Sequence, residues 1–434
     1  LVPDGLAGLV PDGLAGLVLD GLAAVVPDGL AAVVPDGLAA VVARCKGGCV
    51  SPSRRRMLLS LAALPAAGLP VTARAAPNRP GAQPAAGPTG LVIGAALPLT
   101  GAFALVGDEA LRGLRLAAAA QNAAGGINNA PVGLAIGDIV DQSQAAAAVN
   151  QLIRDGHAGL LLGAGSSDFC YPASAAAELA QIPYIELTAP AAGITNRGFR
   201  FLRRTGPTTG MIAELVTASV QARFAGRRLG LLFNTGATGG AIAAALLAHP
   251  AATPPTLTIG YPPDGADLFD SIGRLKRAGV ELLVHAAGPA DVLAAWSAMA
   301  QIGWQPHGLI GCGDGYLLRE SAAAIGPAFE GALVIGPPAT GAQAAAVQAA
   351  YLAAYGAPPR GPESLAAYAG ALLVFQTLAG LGGDPTRLPA TLDARTLPPG
   401  SLANGWGARF DNTGQNLASF VSLQKWRGGA LEVA

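Results

Sequence analysis

The sequence predicts an α/β fold built on parallel, doubly wound sheets, and three observations carry that prediction. From Leu91 onward, short continuous apolar runs alternate with Ala/Leu-rich stretches of helical pattern. Gly and Pro punctuate the junctions between them. The alternation then restarts near Pro207, which makes two consecutive units of similar size. At 434 residues the chain exceeds the usual length of one domain, which suits two lobes with further segments.

In the first unit, strands are predicted over 91–97, 132–139, 158–162 and 184–187. Helices are predicted over 109–122, 144–154 and 173–180, with Gly125 and Gly126 stopping the first and Pro172 opening the last. The second unit predicts helices over 210–224, 240–248, 268–278 and 292–301. Its strands fall at 228–233, 256–260, 281–285 and 308–311. After a strand at 332–335 the rhythm changes. Long helices are predicted over 343–355 and 364–378, then two β segments, 405–411 and 418–426, around Asn412-Thr413-Gly414.

The N-terminal part reads differently. Residues 1–42 repeat an octad, LVPDGLAG giving way to VVPDGLAA, and 1–49 is expected to be a non-native or disordered leader. Residues 50–75 read as a secretory signal. Arg54-Arg55-Arg56 supplies the charged region, a short apolar run follows, and Ala73-Arg74-Ala75 forms the cleavage site. Ser53 to Leu59, SRRRMLL, is twin-arginine-like. Val50 then fits as the true first residue, and the Pro/Gly/Ala-rich stretch 76–90 as a disordered linker.

Composition removes several function classes. A formal net charge of +0 with 12% charged residues gives no basic field for nucleic acid and no polybasic membrane patch. The four cysteines show no CxxC spacing, and pairing of Cys170 with Cys312 is left open by the sequence. No G-x-S-x-G, H-E-x-x-H or G-x-x-x-x-G-K-[ST] motif occurs. No catalytic residue, cofactor or metal is expected.

The order of short cues along the chain carries a resemblance. Ile93-Gly94 leads into Leu97-Pro98-Leu99-Thr100-Gly101, then Gly107-Asp108, Gly125-Gly126-Ile127 and the Asp141 to Gln144-Ala145 region. Gly163, Ser166-Ser167, Pro172-Ala173, Pro183-Tyr184-Ile185 and Arg197-Gly198-Phe199 follow. Phe410-Asp411-Asn412-Thr413-Gly414-Gln415-Asn416 and Gln424-Lys425-Trp426 close the set. In this order the chain resembles the type I periplasmic solute-binding proteins of the branched-chain amino acid (Leu/Ile/Val) ABC transporter family, from about Leu91 to the C-terminus. The resemblance implies two Rossmann-like lobes joined by three crossovers, near 205–207, 335–338 and 405–410, with a ligand in the interlobe cleft. Lobe 1 would be 91–204 with 338–404, and lobe 2 would be 205–337 with 405–434.

It also implies a site. The 163–172 loop, GAGSSDFCYP, ends a strand and opens a helix, where Ser166 and Ser167 would bind a ligand carboxylate. Local capping is the plainer reading of both serines and of Asp168. Thr188 and Ala189 end the next strand and would hold the same amino acid, although a strand-end hydroxyl bonding its own loop reads equally well. Asp314, after a strand of the second unit, would bind the ammonium or simply cap a helix. Relatives often carry pocket aromatics where this chain has Val106, Thr238 and Gly288, which leaves the wall to Phe103, Phe169, Tyr171 or Tyr316. His285 reads as a satisfied strand-end residue.

The expected function is an exported, periplasmic, monomeric solute-binding protein taking a small amino acid or amide-like ligand to a membrane ABC permease. Alternatives are a ligand sensor of the same fold and a periplasmic enzyme using the same cleft. Edman sequencing of exported protein is expected to begin near Ala76; a mature chain beginning at Leu1 would remove the signal from the account.

Overall fold

The computed structural model describes residues 91–434, apart from 164, 264–266 and 342. The octad repeat, the expected signal and linker, and Cys45 and Cys49 lie outside the described residues. The first sheet is built from β1 (Val92–Leu97), β2 (Leu134–Asp138), β3 (Ala158–Gly163), β4 (Tyr184–Glu186) and β5 (Leu202–Arg204). Their order across the sheet is β2-β1-β3-β4-β5, and every neighbouring pair is parallel. β1 and β3 are almost wholly buried, which is why they read as unbroken apolar runs rather than alternating ones. Helices α1 (Ala104–Ala123), α2 (Ala145–Arg154) and α3 (Ser167–Leu179) connect the strands.

The second sheet takes its parallel strands from the middle of the chain. The segments in order are α4 (Thr209–Arg223), β6 (Leu229–Asn234), α5 (Ala237–Ala248), β7 (Leu257–Tyr261), α6 (Phe269–Arg277) and β8 (Leu282–Ala286). α7 (Pro289–Ile302), β9 (Gly308–Cys312), α8 (Arg319–Ile325) and β10 (Leu333–Gly336) follow. The chain then returns to the first lobe through α9 (Ala344–Tyr355), α10 (Glu363–Gly380) and α11 (Leu388–Ala394). α10 packs along α1 in one buried cluster with β1 and β3. The pair β11 (Thr396–Leu397) and β12 (Ala408–Arg409) forms a small antiparallel sheet, and the tail ends in β13 (Ser422–Arg427) and β14 (Ala430–Val433).

Three features differ from the sequence reading. The second sheet is mixed, because β13 pairs antiparallel with β10 and carries β14 at its edge. A chain returning from the other lobe enters this edge from the opposite direction to the βα strands. Next, α3 begins at Ser167 rather than Ala173, with Pro172 inside it. Ser166 caps the helix at extended dihedrals, so its side chain rather than the proline sets the start. Finally, Trp406, Ala408 and Phe410 sit in the buried cluster of α1, β1 and α10, so 405–410 packs on the first lobe. The return to the second sheet comes later, in the stretch leading to β13.

The crossovers meet at a buried polar knot. Arg204, at the end of β5, is fully buried; its Nη1 donates to the carbonyls of Ala189 (3.1 Å) and Ala191 (2.7 Å), and its Nε to Gln415 Oε1 (2.6 Å). Gln415 Nε2 donates on to Gly206 O (2.9 Å), and Asn416 Nδ2 to Thr205 O (3.1 Å). The 411–416 turn is itself held by Asp411, whose Oδ1 accepts from the N–H groups of Thr413 (2.9 Å) and Gln415 (3.0 Å). One strand away, the buried carboxylate of Glu186 accepts three successive backbone N–H bonds on Oε1. The donors are Leu187 (3.0 Å), Thr188 (3.1 Å) and Ala189 (3.0 Å). Burial raises the Glu186 carboxyl and lowers Arg204 to about 10, while the backbone bonds pull Glu186 back down.

Away from this knot, a second ionic group spans the two lobes. Arg360 Nη1 lies 2.5 Å from Asp108 Oδ2 on α1, while its Nε donates to Glu320 Oε1 (2.8 Å) on α8. Cys170 and Cys312 are both buried and unpaired.

Replacing Glu186 by Ala removes the acceptor of the Thr188 and Ala189 N–H groups, while the Leu187 N–H keeps Gly163 O (3.0 Å), and is expected to cost on the order of 2 kcal/mol. Glu186→Gln keeps one acceptor oxygen and should cost less. Urea unfolding midpoints check both; equal loss in the two variants would show that the shared acceptor is not what matters.

Candidate ligand-binding site

The site forms where the carboxyl ends of the two sheets face each other. A cavity of about 720 Å³ opens there between the lobes. From the first lobe it is walled by Phe103 at the start of α1, Asp141 to Ser143 after β2, and Asp168, Phe169 and Pro172 on α3. The second lobe contributes Asn234 at the end of β6, Thr238 on α5, Gly288 and Asp291 at the start of α7, and Asp314.

Each wall is fixed by local chemistry. Phe103 and Phe169 meet edge to face, with ring centroids 5.4 Å apart. Asp141 caps the turn at Gln142–Gln144, accepting from Ser143 N (2.8 Å) and Gln144 N (3.2 Å). Asp291 Oδ2 accepts from Asn234 Nδ2 (2.8 Å) and Gly288 N (3.1 Å), which ties the β6 end to the α7 start. Asp314 is presented by Gly313, whose φ of +90° is open to glycine and strained for other residues. A Cβ on Gly313 would also stand 2.7 Å from Ala287 O.

The lobes touch directly across the cavity. Asp168 Oδ1 accepts from Ala237 N (2.7 Å), the first N–H of α5, and Ser167 N donates to Thr238 Oγ1 (3.1 Å). Asp168 also receives the Ser166 hydroxyl on Oδ2 (3.0 Å). One carboxylate on the first lobe therefore caps a helix of the second, an arrangement favoured by the positive end of the helix dipole. Gly236 leaves room for it, since a Cβ there would lie 3.2 Å from Asp168 Oδ1.

Comparison with known proteins decides the family. A family model described as "Periplasmic binding protein" matches residues 90–430. The chain belongs to that family. Leu/Ile/Val-binding protein homolog 8 of Brucella abortus (strain 2308) is 31% identical over 358 residues, covering 78% of this chain and 89% of the relative. Homolog 7 of Brucella suis biovar 1 (strain 1330) is 28% identical, covering 81% and 92%. Among solved structures, LivJ of Streptococcus pneumoniae with isoleucine superposes with a TM-score of 0.71 at 19% identity, covering 79% of this chain and 98% of LivJ. A solute-binding protein from Rhodopseudomonas palustris BisB5 with 3,4-dihydroxybenzoic acid gives 0.68 at 19%, covering 79% and 94%. The two-lobed type I fold is thus shared with receptors of differing ligands.

Within this periplasmic binding protein the residues singled out from sequence separate into two groups. Asp314, Thr238 and Gly288 line the cavity, as do Phe103, Phe169 and Asp168. Ser166 and Ser167 are buried at the α3 cap: Ser166 Oγ accepts from Asp168 N (3.2 Å), and Ser167 Oγ from Ala191 N (3.1 Å). Thr188 Oγ1 accepts from Gly165 N (2.9 Å), and Ala189 is buried beside Glu186. These four sit behind the cavity wall rather than on it. Val106 is fully buried within α1 and lies off the cavity as well. Tyr171 stacks on Arg197, while Tyr316 and Tyr261 hold the two ring nitrogens of buried His285, each at 2.7 Å. Sequence reading missed Asp141, Asn234 and Asp291. Asp291 had a signal, since it stands three residues after Gly288 at a helix start, where an acid reaches back to the cap.

The electrostatics converge on Asp314. Its carboxylate makes no hydrogen bond or ion pair among the described residues, and burial, with the charges of Asp168 and Glu186, raises it to about 7. Buried Glu363 on α10 is raised in turn, first by burial and then by the charge of Asp314. A carboxyl raised in the folded state favours the protonated form there. Its ionisation therefore subtracts stability as pH climbs from its unfolded value near 4 toward 7, at no more than about 1.4 kcal/mol per pH unit. Asp314→Asn is expected to stabilise the ligand-free protein, with a gain that grows from pH 4.5 to 7 and levels off above. Urea midpoints across that range read it; a gain independent of pH would show that Asp314 titrates normally.

Proposed function

We infer that this protein is the extracytoplasmic receptor of an ABC importer, closing its two lobes over a small amino acid or amide-like solute and presenting it to a membrane permease. The supporting observation is the interlobe cavity, walled from both lobes and leaving one carboxylate, Asp314, without a partner. A ligand ammonium at Asp314 would satisfy that group only when the lobes are closed around it. Function is then a population shift, since a solute that contacts both lobes favours the closed form by its differential affinity. The relatives point the same way: Leu/Ile/Val-binding homologues in Brucella, and an isoleucine complex of LivJ. The protein would act as a monomer, and the twin-arginine-like stretch at 50–75 would deliver it to the periplasm. No bond is made or broken in this reading.

Two measurements test it together. Native mass spectrometry of gently purified protein should show an intact small solute released on denaturation, and deletion of the gene should abolish uptake of that solute. Conversion of the solute on prolonged incubation would instead support an enzyme, and retained uptake with loss of a cellular response would support a sensor.

A further inference from the structure

We propose a second binding site, for a small apolar monocarboxylate, in a hollow of about 490 Å³ between α9 and the β13–β14 hairpin. It is separate from the ligand cavity and shares no lining residue with it. Its place in the molecule does not depend on what that cavity receives. Both lobes build it. α9 and the turn at 358–362 come from the first, Arg319 at the start of α8 and Trp426 on β13 from the second, and Ala339 and Thr340 from the stretch joining β10 to α9. A molecule seated here touches both lobes and so favours the arrangement in which both walls reach it. The volume lies within the roughly 300–1,000 Å³ usual for small-molecule sites.

The charge of the wall selects an anion. The only charged side chains lining the hollow are Arg319 and Arg360, whereas those lining the ligand cavity are all aspartates. Arg360 is already engaged by Asp108 and Glu320. Arg319 is not: its Nη1 donates to Pro358 O (3.1 Å), and it makes no ion pair among the described residues. Its backbone N–H donates to Arg360 O (2.7 Å), so main chain and side chain are both pinned to the 358–360 turn. A guanidinium carries five N–H donors in a planar fork, and the edge of Nε and Nη2 has no acceptor among the described residues. That edge matches the two oxygens of a carboxylate. Acids nearby are spent elsewhere, Glu320 on Arg360 Nε (2.8 Å) and Glu330 on Gly428 N (3.0 Å). The remaining wall selects an apolar body. Val347, Leu352 and Leu365 face Trp426 and Leu431, and Leu352 is left 51% exposed. The Trp426 indole N–H is given to Tyr316 O (2.8 Å), so the ring offers the hollow its hydrocarbon surface alone. A carboxylate at Arg319 with a hydrocarbon tail along α9 uses both halves of this wall.

The test uses the full chain with sodium octanoate as probe and 1-octanol, the same tail without the charge, as control. Isothermal titration calorimetry at neutral pH is expected to show octanoate binding about ten-fold tighter than octanol or more, the worth of a charge-assisted bidentate contact. Arg319→Gln should remove that margin by weakening octanoate and leaving octanol as it was, which a merely structural loss would not do. Leu352→Glu, at an exposed helical position where folding is least at risk, sets a carboxylate beside the hollow and should weaken octanoate as well. Neither residue lines the ligand cavity, so octanoate lodged there would be indifferent to both changes. Absence of octanoate binding, equal affinity for octanoate and octanol, or an octanoate affinity unchanged in both variants overturns the site. Should Arg319→Gln fail to fold, the octanoate-to-octanol ratio of the unaltered protein and the Leu352→Glu variant decide it.

Discussion

The structure depends on keeping two opposite charges, Glu186 and Arg204, buried beside each other at the ends of β4 and β5 without relying on an ion pair between them. Each is held mainly by backbone: three N–H groups for the carboxylate, two carbonyls and a glutamine for the guanidinium, whose Nη2 is buried without an acceptor among the described residues. Removing one charge would leave the other uncompensated in a region where desolvation is expensive. The backbone groups they recruit are those of 187–191, the loop directly behind the cleft wall. The same guanidinium reaches Gln415 and hence the crossovers at 205–206 and 415–416. The loop that backs the site and the segments that join the lobes are thereby one hydrogen-bonded unit, so hinge and wall hold a common geometry.

Against this frame the cleft has its own internal competition. Closing the lobes lets Asp168 and Thr238 satisfy helix N-termini that would otherwise face water or ligand. These contacts favour the closed form before any solute arrives, and each is worth on the order of a kcal/mol net because water competes for the same groups. Asp314 opposes them, since closure places its carboxylate near Asp168 and Glu186. A positively charged group bound there would convert that opposing interaction into an attractive one.

The order of strands and helices was legible because parallel strands buried on both faces leave continuous apolar runs, and β1 and β3 do so plainly. Asp314 was legible for a similar reason: an acid just after a strand has few places to be except a strand's carboxyl edge. Ser166 and Ser167 were legible as the loop between β3 and α3, where capping and ligand binding call for the same hydroxyl; the bonds they accept from Asp168 N and Ala191 N come from packing that the local sequence does not encode. Glu186 and Arg204 gave no sign, because a charged residue at a strand end looks solvent-facing until the neighbouring strands bury it. The placement of 405–410 failed on a similar point. Nothing in the local pattern tells which lobe's core Trp406 enters; α1 and α10, far away in sequence, decide it.

Arg360 carries one more consequence. A single guanidinium is shared by Asp108 on the first lobe and Glu320 on the second, at a place separate from the ligand. An opening motion that separated α8 from α1 would have to break one of these two bonds. Mobile ions compete for partly exposed pairs of this kind. Salt would then bear on such a motion through a residue that does not line the candidate ligand cavity.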